Sequence, residues 1–174
     1  MSAKTKQRSI LFKFLSIFSV VRGYNVLLIV FAQYLTSVFI LSDKTFFEVL
    51  FDKSLFLIIC CSSLSIASGY IINNFYDKEK DLINKPVKYK IDDLVNNATQ
   101  LRFYFFLNFI VVLIASFISL KAVLFFSVYI FFLWFYSHKI KRLVFLGNLF
   151  YSLLTVTPFF AILLYFKNID VIII

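Results

Sequence analysis

The chain has 174 residues, of which 61% are hydrophobic and 21% aromatic, including 25 Phe and 10 Tyr; a soluble domain is usually about 45–50% apolar. Its net charge of +9 comes from Lys and Arg gathered between apolar runs, which is the pattern of topogenic charges rather than of a nucleic-acid face. The runs approach the roughly 20 residues that cross a bilayer as helix, without the alternation of a transmembrane barrel. An all-α integral membrane protein follows.

Residues 1–9 are polar and basic, and the apolar stretch Ile10–Val21 is interrupted by Lys13. It lacks the clean core and small-residue cleavage site of a signal peptide, so residues 10–21 read as an interfacial helix on the cytoplasmic leaflet. After Arg22-Gly23-Tyr24-Asn25 the first span runs from Val26 to Leu41. The second runs from Ser54 to Tyr76 and carries Ser62, Ser63, Ser65, Ser68 and Gly69, small residues that let helices approach closely in lipid. Cys60 and Cys61 are neighbours inside it; adjacent helix positions point apart, so they read as packing residues and not as a metal pair or disulfide.

The segment Asp77–Arg102 is the longest polar region, with six Lys/Arg and five Asp/Glu. Pro86 ends any helix entering it, and Asn96, Asn97 and Thr99 offer caps for a third span over 100–118. A fourth span over 122–137 is followed by the basic loop His138-Lys139-Ile140-Lys141-Arg142, and a fifth over Leu143–Phe166 contains Pro158, where a bend is expected. His138, alone at a span end, reads as interfacial. Placing the N-terminus and both basic loops on one side gathers fourteen of the 18 Lys/Arg there, so that side and the N-terminus are expected to be cytoplasmic. The apolar run that begins at Val171 looks like the start of a sixth span, and the expectation is that the chain is a partial domain over 1–174.

Gly69 to Pro86 is where a long apolar run meets a dense cluster of charges. If the helix of the second span continues through it, Asn73, Asp77 and Asp81 fall at i, i+4 and i+8 and stack on successive turns. Two carboxylates so placed repel unless a cation sits between them. Mg²⁺ is the expected occupant, since it takes oxygen ligands and commonly shares one or two carboxylates with substrate phosphates.

The string Gly69-Tyr70-Ile71-Ile72-Asn73-Asn74-Phe75-Tyr76-Asp77-Lys78-Glu79-Lys80-Asp81, with Ile83-Asn84-Lys85-Pro86 after it, resembles the first aspartate-rich motif of the UbiA-type membrane prenyltransferases, Asn-Asp-x-x-Asp-x-x-x-Asp. Asn74 stands where the family usually has Asp. Arg22-Gly23-Tyr24-Asn25 resembles the family's Arg-Pro-x-Asn entry. Tyr136-Ser137-His138-Lys139-Ile140-Lys141 with Gly147-Asn148 resembles its Tyr-Ser-x-x-Leu-Lys segment and the Gly-Asn that opens the next helix. The local flavour is similar to bacterial members labelled geranylgeranylglycerol-phosphate geranylgeranyltransferase, which implies a bacterial inner membrane.

The resemblance implies a bundle of nine transmembrane helices, of which this chain is the N-terminal half. It also implies a cytoplasmic-facing cavity and Mg²⁺-assisted transfer of a prenyl group from a polyprenyl diphosphate to an aromatic ring or a glycerol-phosphate-type hydroxyl. Asn73, Asp77 and Asp81 match its metal positions, the two aspartates being catalytic; Lys141, Arg22 and Asn25, with Asn73, match positions at the diphosphate. The second aspartate motif lies in a later helix and would come from a C-terminal half. The chemistry is sensible independently: a leaving diphosphate needs its charge neutralised, and an allylic cation is favoured in a dry aromatic cavity. The many Phe residues could line it, although any individual Phe reads as lipid-facing. A non-catalytic half-bundle that binds a lipid diphosphate or a partner membrane protein is the alternative. A transporter would carry ionisable residues at mid-span, and these spans have almost none. Neither the acceptor nor the prenyl chain length is legible.

Overall fold

A computed structural model describes residues 15–167. The sixth apolar run from Val171 and residues 10–14 of the expected interfacial helix lie outside them. Every regular element among the described residues is helical: α1 (residues 15–20), α2 (Gly23–Thr36, continued by a π turn over Ser37–Leu41), α3 (Phe46–Leu50), α4 (Lys53–Asn84), α5 (Pro86–Asp92), α6 (Asn97–Ser116), α7 (Leu120–His138) and α8 (Val144–Phe166). A 3₁₀ turn over Ile140–Arg142 joins the last two. Five of these segments are long and apolar enough to cross a membrane.

Helix α4 is the axis. Some 67% of its most apolar window is buried, against 28% or less in the other four spans, and it packs on α2, α6, α7 and α8. In lipid no hydrophobic force draws helices together, so close contact must come from small residues and shape. Ser62, Ser65, Ser68 and Gly69 are all buried; a Cβ on Gly69 would stand 3.1 Å from the Leu133 side chain of α7, which is why that position carries none. Ser63, on another face, turns its hydroxyl back to the Cys60 carbonyl at 2.9 Å. Both cysteines are free, and Cys61 is buried in the core.

The helix ends follow the local chemistry. Asp52 accepts hydrogen bonds from the Ser54 and Leu55 amides and opens α4, Asn96 accepts from Thr99 N–H and opens α6, and Ser119 accepts from Ala122 N–H and opens α7. Helix α4 runs eight residues past Tyr76 before it stops at Asn84, and Pro86 takes the first turn of α5, where its missing N–H costs nothing. The long polar segment is therefore largely helical rather than loop. Helix α1 does more than lie at an interface. Its Val20 is buried with Ile71, Ile72, Tyr104 and Leu107 of α4 and α6, while Leu15 and Phe18 remain exposed.

The spans alternate in direction. One end of the bundle collects the start of α2, the charged end of α4, and the α7–α8 junction. The other is closed by Asp52, which accepts a hydrogen bond of 2.7 Å from the Tyr165 hydroxyl of α8.

Candidate functional site

Because α4 stays helical through the charges, Asn73 and Asp77 lie one turn apart on the face toward α7 and α8. Opposite them, the chain leaves α7 through the 3₁₀ turn and re-enters a helix at once. Gly147 makes this tight junction possible: a Cβ there would lie 3.2 Å from the Ile140 carbonyl oxygen and 3.3 Å from the Lys141 Cα. The turn lies against α8 and aims Lys141 across to α4. Its Nζ donates to Asp77 Oδ1 at 2.8 Å and to Asn73 Oδ1 at 3.1 Å, and lies 5.9 Å from the Tyr76 ring centre.

This trio stands at the mouth of a cavity of about 310 Å³ between α2, α4, α7 and α8. Its walls carry Tyr70, Tyr129, Tyr136 and Tyr151 with aliphatic side chains between them, and Arg22 at the rim. The aromatic lining is thus tyrosine, and among the described residues no Phe belongs to it. Arg22 is the one non-glycine among the described residues with positive φ (48°), a left-handed conformation that costs of order 1–3 kcal/mol and marks sites held in place by their surroundings. Its guanidinium sits 5.1 Å above the Tyr70 ring.

The remaining expected site residues lie apart. Asn25 is half-buried outside the cavity wall. Asp81 is rotated from Asn73 by about 80°, since eight residues at 3.6 per turn overshoot two full turns. Its carboxylate lies 3.6 Å from both Lys85 and Lys88. Asn74 also faces that way, accepting from Lys88 Nζ at 2.7 Å. Lys88 in turn pairs with Asp92, which is buried and accepts from the Ser19 hydroxyl at 2.8 Å. A second polar network thereby ties α1, α4 and α5 behind the site. Lys88 and Asp92 are spaced i, i+4 on α5, but nothing in the sequence announces that they meet Ser19 of α1 or Asn74 and Asp81 of α4. Among the described residues no three His, Cys, Asp or Glu converge as a metal-binding group. Even so, Asn73 Oδ1 and Asp77 Oδ1 reach one point, because a single ammonium touches both.

The UbiA prenyltransferase family model matches residues 30–173. The chain belongs to the UbiA prenyltransferase family. Within this family member, 110 residues are 34% identical to the digeranylgeranylglyceryl phosphate synthase of Thermococcus gammatolerans, a match covering 63% of this chain and 40% of that protein. The fold is similar, at a TM-score of 0.68 and 22% identity, to a solved chain from work on digeranylgeranylglyceryl phosphate synthase in membranes, covering 84% of this chain and 51% of that one. The chain therefore spans about half the length of the relatives it matches. The family match and the five candidate spans agree with an integral membrane bundle of the UbiA type.

Proposed function

We propose that this UbiA family member holds a polyprenyl diphosphate with its head group at Asn73, Asp77 and Lys141 and its tail in the tyrosine-lined cavity, and donates the prenyl group to an acceptor that is an aromatic ring or a glycerol-phosphate-type hydroxyl. The observation that carries the reading is the convergence of a lysine, a carboxylate and an amide oxygen at the polar mouth of a cavity walled mainly by tyrosine rings and aliphatic side chains. A diphosphate needs positive charge and an isoprenoid tail needs a dry wall, and here the two adjoin. Family membership and the relative named digeranylgeranylglyceryl phosphate synthase support it.

Mg²⁺ suits the donor set. Two protein oxygens that already share one cation, completed by substrate phosphates, match its habit of binding through few carboxylates. Asn73 and Asp77 would hold it. Asp81 stays in the proposed set because it is one turn beyond Asp77 and its pair with Lys85, 54% exposed, contributes only about 0–1 kcal/mol; its pair with Lys88 would have to open. When bound, the ion would neutralise charge developing on the departing diphosphate. Lys141 would supply a fixed positive charge at the same place, Arg22 a second one at the rim, and the tyrosines a wall that excludes water. The charged end of the bundle is the proposed cytoplasmic face, in a bacterial inner membrane, and the second aspartate motif would come from a C-terminal half.

The test is transfer of a radiolabelled prenyl group into lipid or aromatic acceptors, with Mg²⁺ and with chelator. Mg²⁺-dependent product that disappears in Asp77→Ala supports the reading. A second reading, a half-bundle that binds the lipid diphosphate without turning it over, is favoured by the position of Asp81 outside the cavity; metal-dependent binding with no product in any acceptor would select it.

A further inference from the structure

Chain length is the property of the substrate that the cavity itself can set, and its closed end has a distinctive construction. Counted along α2, α4, α7 and α8, the lining residues furthest from Arg22, Asp77 and Lys141 are Ile29, Ile66, Tyr129 and Pro158. Pro158 lies inside α8 and has no N–H, so the Leu154 carbonyl loses its helical donor. The Tyr129 hydroxyl of α7 donates to that carbonyl at 3.1 Å. From α2, Gln33 Nε2 donates to the Pro158 carbonyl at 2.9 Å, and Gln33 is fully buried. Three helices are thus fastened together around one proline at the far end of the cavity. Beneath them the bundle is packed: Cys61, Ser62, Ser37 and Ile162 are all inaccessible. Gln33 Oε1 and the Ser62 hydroxyl have no hydrogen-bond partner among the described residues, and around them the layer below the floor is buried apolar core, packed too closely to admit a hydrocarbon tail.

We infer that Tyr129, seated on Pro158 and backed by Gln33, is the residue that limits isoprenoid length. This rests on the proposed binding of a prenyl diphosphate. Along α4, eleven residues separate Asp77 at the mouth from Ile66 at the floor, about 16 Å at 1.5 Å per residue. An extended chain advances about 1.2 Å per bond, as the peptide backbone does, so an isoprene unit of four main-chain bonds takes about 5 Å. The cavity holds roughly three to four units. A longer tail must either push through the fastened floor or leave between helices.

The experiment measures Mg²⁺-dependent binding of geranyl, farnesyl, geranylgeranyl and geranylfarnesyl diphosphates to the detergent-solubilised chain, with inorganic pyrophosphate as the tail-free control. Affinity should rise with length up to geranylgeranyl and fall about tenfold or more at geranylfarnesyl, the scale of discrimination by a pocket that cannot accommodate extra carbons. Tyr129→Ala should remove that fall, and Ile66→Phe, which adds bulk at the floor with Tyr129 still in place, should move it one unit shorter, both with unchanged pyrophosphate binding. A profile that keeps rising through geranylfarnesyl, or one identical in wild type and in whichever variants fold, overturns the length limit while leaving the head-group site intact. Absence of binding to every diphosphate overturns the underlying reading as well.

Discussion

Lys141 and Asp77 form the contact on which the site depends, and removing either partner should cost far more than removing both. Their side chains are 11% and 23% exposed, so neither charge is well hydrated by bulk water. Breaking a fully buried pair costs about 3–5 kcal/mol. Here the pair lies at the mouth of the cavity and keeps some contact with solvent, and a charged group left with a broken hydrogen bond costs about 1–3 kcal/mol. For a chain of this size 1 kcal/mol moves Tm by about 2–4 °C, so Lys141→Met and Asp77→Asn should each melt about 2–12 °C below wild type. In Lys141→Met/Asp77→Asn no charge is stranded, and the double variant should recover at least about 1 kcal/mol relative to additivity. The chain has one Trp. Trp134 stacks on His138 at 5.4 Å just before the turn that carries Lys141, which makes its fluorescence a local reporter of the melt. Losses that add within about 0.5 kcal/mol would refute the coupling and the placement of Lys141 on α4.

Gly69→Val should destabilise by about 1–3 kcal/mol, because even a Cβ there would sit 3.1 Å from Leu133; a melt equal to wild type would mean that α4 and α7 stand further apart. At the opposite end, burial pushes the Asp52 carboxyl up, but hydrogen bonds from Leu55 N–H, the Tyr165 hydroxyl and Ser54 N–H, with the Lys44 charge, outweigh it and hold the group below its ordinary value. A depressed carboxyl stabilises the fold above its unfolded value of about 3.9 and loses that contribution as pH falls through the lower folded value. Melts of the wild type should therefore decline with acid below about pH 4 more steeply than those of Asp52→Asn; parallel curves would show that the Asp52 cluster contributes nothing. Tyr165→Phe should reduce the same difference, since it removes the 2.7 Å hydrogen bond that joins α8 to the start of α4.

The spans, their order and several of their ends were legible because each rests on local chemistry. Apolar length gives the helices, Asn96 and Pro86 mark boundaries by capping and by a missing N–H, and the serine and glycine face of α4 follows from the need for close approach in lipid. Asn73 and Asp77 were legible for the same reason, being one turn apart on a continuous helix. Asp81 shows where that reasoning weakens, because each four-residue step rotates the side chain by about 40° and two steps carry it off the shared face. The tyrosine lining was hidden: its members come from α4, α7 and α8, and nothing local separates Tyr129 from the many aromatic residues that face lipid. The meeting of Ser19 with Asp92 was hidden likewise, since only tertiary packing brings α1 and α5 together behind α4.

The most direct test is calorimetric titration of geranylgeranyl diphosphate into the purified chain with and without Mg²⁺. Saturable binding that needs the ion, and that vanishes when Asp77→Ala and Asp81→Ala are combined, is the predicted result. Binding that survives the double substitution, or that is indifferent to Mg²⁺, would contradict the assignment of these aspartates to a metal-held diphosphate.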